Sequence, residues 1–155
     1  MEDLIPIYYS ELFEDNDSLC SSVFDILQKS YSHASRHIPV HVKEAIENDH
    51  LHDWILASVN ICHEEGICVQ LKATHKGSSC ILSFDQLKQF NIVGGISSDG
   101  LNYPASANDM PGIAQILDIW VEYKKDIEYL ILLNDNRYIK IVTQAPKKKR
   151  NSIKK

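Results

Sequence analysis

The amino-acid sequence predicts an α+β fold, with two N-terminal helices packed on a mainly antiparallel sheet of five to six strands. Three observations carry this reading. Apolar residues recur at helical spacing between Ser18 and Arg36, the period changes to two from Trp54 onward, and short polar turns separate the alternating segments. A chain of 155 residues with 44% apolar and 24% charged content suits one domain over residues 1–145 and a basic tail over residues 146–155.

Leu19, Val23, Ile26, Leu27, Tyr31 and Ala34 define one apolar stripe on the first helix. Asp15, Asn16 and Asp17 stand ahead of it, offering N-cap oxygens and negative charge at the positive end of the helix dipole. Pro39 stops that helix, because a residue before proline is pushed extended. It then suits the first turn of a second helix that runs to Asn48 with Val42, Ala45 and Ile46 inward. Ahead of both, Ile5-Pro6-Ile7-Tyr8-Tyr9 is an apolar lead-in that packs or adds an edge strand.

Leu51-His52-Asp53-Trp54 opens the alternating region. Ile55, Val59 and Ile61 start it, Ile67, Val69 and Leu71 continue it, Cys80, Leu82 and Phe84 follow, and Ile139 and Ile141 close it. Glu64-Glu65-Gly66, His75-Lys76-Gly77-Ser78 and Asn134-Asp135-Asn136 read as hairpin turns. Residues 113–123 fit a helix through Ile113, Ile116, Leu117, Trp120 and Val121, or a strand through Leu117, Ile119, Val121 and Tyr123. The strand is preferred, because Lys124-Lys125-Asp126 then turns it into its neighbour. One face of the sheet is expected to be polar and the other covered by the helices.

The net charge of −5 conceals an asymmetry. Lys147, Lys148, Lys149, Arg150, Lys154 and Lys155 lie in the tail, so over residues 1–146 the 21 acids face 10 bases, which leaves −11. A body of that charge repels phosphate backbones and attracts basic proteins. Nucleic acid is expected only at the tail, which reads as a solvated terminus, a nuclear address or a nucleic-acid arm. No stretch approaches the roughly 20 apolar residues of a membrane span, and Met1-Glu2-Asp3 is acidic where a secretory signal is basic. Four scattered cysteines, Cys20, Cys62, Cys68 and Cys80, predict reduced thiols and a cytoplasmic location.

Candidate chemistry is sparse. His50, His52 and Asp53 gather three possible ligands, but a metal needs three or four that converge. The pair His52-Asp53 reads instead as a tie for the helix-to-strand turn. Cys62, His63, Cys68, His75 and Cys80 contain no Cys-x-x-Cys pair; Cys80 shares parity with Leu82 and Phe84, and Cys68 lies on the opposite face from Val69. There is no Gly-x-Ser-x-Gly elbow. A two-histidine ribonuclease would present bases to phosphate where this body presents acids. No enzyme, cofactor or metal is therefore expected.

Residues 94–112 hold four of the six glycines and two of the five prolines. A loop of that length is a spacer or a binding element. As a binding element it offers Asp99, Tyr103 and Asp109 to a protein partner, with Glu64 and Glu65 as a second acidic patch.

The stretch Asn48 to Leu56, the Ile81-Leu82-Ser83-Phe84 segment and the closing Asn134 to Ile141 strand resemble small bacterial proteins with a Leu-His-Asp signature ahead of a β-meander. In size, acidity and organisation the chain is also similar to immunity proteins of polymorphic toxin and contact-dependent growth inhibition systems. The resemblance covers residues 48–143, and the basic tail is not part of the pattern. It implies a non-enzymatic cytosolic protein that binds and neutralises one cognate toxin, commonly a nuclease with a basic cleft.

Overall fold

The computed structural model describes residues 1–10, 13, 15–47, 51–63, 66–94 and 114–145. A 3-10 turn (Glu2–Leu4) and a one-turn helix α1 (Ile5–Tyr8) lead into helix α2 (Asp17–Ala34), a second 3-10 turn (Ser35–His37) and helix α3 (Val40–Glu47). Among the described residues seven strands follow: β1 (Ile55–His63), β2 (Ile67–His75), β3 (Ser78–Phe84), β4 (Leu87–Gly94), β5 (Ile116–Tyr123), β6 (Ile127–Leu133) and β7 (Arg137–Thr143). They form two antiparallel sheets, ordered β1-β2-β3 and β4-β7-β6-β5. The α+β class holds, but the expected single sheet of five to six strands is corrected to seven strands in two sheets.

The helical half follows its caps. The Asn16 side chain accepts the Leu19 N–H at 3.0 Å, closing the start of α2. Ile38 is extended at φ −106° and ψ 153°, as a residue before proline should be, and α3 begins at Val40. The expected stripe is narrower than its pattern. Val23 and Ala34 are buried, whereas Ile26 is 47% exposed.

Strand β4 carries no expectation because its pattern is broken. A bulge between Leu87 and Gln89 shifts the register against β7, so Leu87 does not alternate with Phe90 and Ile92. The strand ends at Gly94, where φ is +92° and an added Cβ would lie 2.6 Å from the Asn136 carbonyl oxygen. Residues 116–123 are strand, and Lys124 N–H donates to Asp126 O at 3.0 Å in the expected turn to β6.

The apolar faces of both sheets share one core, with Val69, Leu71 and Leu82 from one and Ile127, Ile131 and Ile139 from the other. The Phe84 and Tyr129 rings meet edge to face at 4.7 Å. Ile38, Val42 and Ala45 pack into this core from the helical side. The expected polar face is absent on β6, whose other side buries Leu130 and Leu132 with Trp120 and Ile5. The lead-in therefore packs rather than pairing. Tyr9 donates its hydroxyl between Leu133 O (2.7 Å) and Arg137 O (3.0 Å).

Glu2 fastens the same segment to β7. Its carboxylate accepts from Lys140 at 2.7 Å and from the Tyr138 hydroxyl at 2.6 Å. These bonds, the Lys140 bond first, hold the Glu2 carboxyl below its ordinary value of 4.5. The stabilisation is complete above pH 4.5 and is lost as pH falls through the lower folded-state value. Glu2→Gln is expected to flatten the acid side of a stability-versus-pH curve measured by urea unfolding, while leaving a neutral-pH structure intact by circular dichroism.

Leu51, only 2% exposed, anchors the turn into β1. Leu51→Ala is expected to cost about 2–5 kcal/mol, and His52→Ala about 1 kcal/mol, read from urea unfolding. Equal losses for the two would contradict the burial difference.

Candidate functional site

The Leu51-His52-Asp53 turn is structural. Asp53 sits at φ +68°, its N–H donates to Ile116 O at 2.9 Å, and Trp54 N–H closes the turn on Leu51 O at 3.0 Å. His52 Nδ1 lies 2.8 Å from Leu117 O; a carbonyl only accepts, so this nitrogen carries the proton. His52 Nε2 is 3.6 Å from Asp53 Oδ1. The doublet thus holds the turn ahead of β1 against the start of β5. His50 lies outside the described residues. Among the described residues, no three His, Cys, Asp or Glu side chains gather as metal ligands.

The partner-binding residues expected from the sequence, Asp99, Tyr103, Asp109, Glu64 and Glu65, all lie outside the described residues. The hairpin that Glu64 and Glu65 were expected to turn is present, with His63 opposite Ile67.

One expectation is overturned. Cys62 and Cys68 form a disulfide, with Cα atoms 5.2 Å apart, where four reduced thiols were expected. Register is the cause. With His63 opposite Ile67, Cys62 falls directly opposite Cys68 on the outer face of the β1–β2 pair, within disulfide reach. The signal was in the sequence, since the turn and the outward parity of Cys68 together imply it. Cys20 and Cys80 are free, and burial raises the Cys80 thiol above its ordinary value. A polar cleft of about 570 Å³ lies beside the disulfide, lined also by Gln70, Asp85 and Gln86.

A second concavity has a more aromatic lining. Helices α2 and α3 and strand β5 enclose a groove of about 410 Å³. Phe24, Leu27 and Tyr31 line it from α2, Ile46 and Glu47 from α3, and residues 118–121 from β5. Ser30 donates to Val121 O at 2.7 Å, holding α2 along β5. Phe24 remains 49% exposed at the rim. Burial first, and then the adjacent Glu47 carboxylate, push the Tyr31 hydroxyl up to about 12, so it stays protonated at neutral pH. Asp118 is held by the Ile119 N–H at 2.9 Å and by Trp120 Nε1–H at 3.0 Å. The groove pairs an apolar, aromatic wall with two carboxylates. Sequence periodicity assigned Tyr31 and Ile46 to the core and did not single out Glu47 or Asp118.

No protein-family model, no curated protein and no solved structure matches the chain.

Alkylation of the unreduced, denatured protein is expected to label two cysteines, and four after reduction, read by intact mass. Cys62→Ser is expected to cost about 2 kcal/mol for the short loop that the bond closes.

Proposed function

We propose that this chain is a non-enzymatic immunity protein, binding a cognate toxin, most simply a nuclease, and occluding its active or substrate-binding surface. The observation that carries the reading is the α2–α3–β5 groove, with Glu47 and Asp118 beside an apolar wall, on a body bearing −11 over residues 1–146. A nuclease cleft is basic because it binds phosphate. An arginine or lysine from its rim has an aliphatic stem for Phe24 and Leu27 and a charge for Glu47. Complementary potential also speeds encounter and suppresses wrong partners.

Neutralisation needs no chemistry from the inhibitor. It needs a stoichiometric complex whose carboxylates compete with phosphate, and Asp99, Tyr103, Asp109, Glu64 and Glu65 are proposed as further contacts on the sequence alone. The resemblance to immunity proteins in size, acidity and organisation supports the same assignment.

Co-expression with the protein encoded directly beside this gene is the test. Rescue of growth and a one-to-one complex on size exclusion are expected; neither appearing would refute the proposal. Glu47→Lys is expected to weaken the complex at least about tenfold. The paired reversal Asp99→Lys with Asp109→Lys should slow association and make it less salt-sensitive.

A further inference from the structure

We infer that the Cys62–Cys68 bond is a reversible exchange site for a small neutral or cationic thiol, which reaches it through the polar cleft while the protein stays folded. The inference goes beyond the toxin-binding reading and does not depend on it.

The bond lies outside the core. Cys62 and Cys68 face each other on the outer side of the three-stranded sheet, which they share with Asn60, Gln70, Lys72 and Ile81. Both cysteines are half-buried, and Asn60, Lys72 and Ile81 are exposed. Val69 and Leu71 point the other way, into the core. The hairpin is held without the bond, because β1 pairs with β2 from Ile55 opposite Thr74 to His63 opposite Ile67. Strand β2 pairs in turn with β3, from Val69 opposite Phe84 to His75 opposite Ser78. The cysteines are six residues apart, and a short ring constrains the unfolded chain less than a long one. Opening the ring removes a staple and leaves the sheet.

The attacking thiol comes from solution. Cys80 lies opposite Ala73 on the core face, and burial keeps its thiol protonated. Cys20 belongs to α2 and donates its thiol to Phe13 O at 2.8 Å. The cleft has about 570 Å³, the size of a small-molecule site. Both cysteines line it, and Gln70 and Gln86 add amides that suit a polar guest. Asp85 is the one charged side chain among the described residues that line it, on a body bearing −11 over residues 1–146. That potential repels an anionic thiol and admits a neutral or cationic one.

The exchange balances with the thiol alone. Its thiolate attacks one cystine sulfur, the S–S bond breaks, and the electron pair leaves on the other cysteine, which takes a proton from water. A second thiolate then attacks the small molecule's sulfur in the mixed disulfide. This releases the second cysteine and the small molecule's own disulfide. Two small thiols are oxidised and one cystine is reduced.

Native oxidised protein treated with cysteamine, quenched in acid and read by intact mass, is expected to give the mixed disulfide and then the dithiol. Its rate should not change with urea below the unfolding transition. Circular dichroism of the dithiol should match that of the disulfide form, and cystamine should restore the bond. Per thiolate, cysteamine should react at least about threefold faster than mercaptoethanesulfonate at low salt, with the ratio shrinking in added salt and in Asp85→Asn. A rate that climbs with urea as global unfolding does, an unfolded dithiol form, or a ratio near one would overturn the inference.

Discussion

The fold depends on one short stretch of backbone pairing, where residues 53–56 meet residues 114–116. Asp53 N–H donates to Ile116 O, Ile116 N–H to Trp54 O, and Leu56 N–H to Ala114 O. These bonds join the first strand of one sheet to the first residues of the strand that edges the other. A second link between the sheets lies at the corner after Phe84, where Gln144 N–H donates to Gln86 O. Buried backbone groups left unpaired are costly, so the junction fixes how the two sheets sit over each other. The His52 ring and the Leu51 side chain secure it from outside and inside respectively.

With that junction in place, the four-stranded sheet has two apolar faces to cover. One meets the three-stranded sheet and the ends of the helices. The other is sealed by residues 1–9, through Ile5, Tyr8 and the Tyr9 hydroxyl. Burial on both sides explains why β6 reads Tyr129-Leu130-Ile131-Leu132-Leu133 without polar alternation. Helix α2 is then left against β5, where it shapes the groove and leaves Phe24 and Ile26 half exposed. The same geometry that completes the core thus creates the surface proposed for a basic partner, which sets aromatic walls beside carboxylates.

Much of the fold was legible in the sequence. Four hairpins were readable, because turn chemistry and period-two alternation report the same event. The helix limits followed from Asn16 and Pro39, whose effects act within a turn of the chain. Strand β4 was not legible, since a bulge removes the period on which recognition of a strand rests. The candidate groove was not legible either. Tyr31, Glu47 and Asp118 belong to three elements, and sequence patterns carry no record of which elements adjoin. Asp99, Tyr103 and Asp109 came from composition and loop length, and they lie outside the described residues.

The sequence by itself determined the α+β class, the hairpin registers and the acidity of the body, because these follow from local sterics, side-chain parity and a count of charges. Register even implied that Cys62 and Cys68 face one another, once the turn between them was placed. Only the tertiary structure decided that the strands divide into two sheets and that residues 1–9 cover the second face. Those outcomes depend on contacts between segments 65 to 138 residues apart, as with His52 and Leu117 or Glu2 and Lys140. The physical reason is that an apolar face specifies that it must be buried, and not what will bury it.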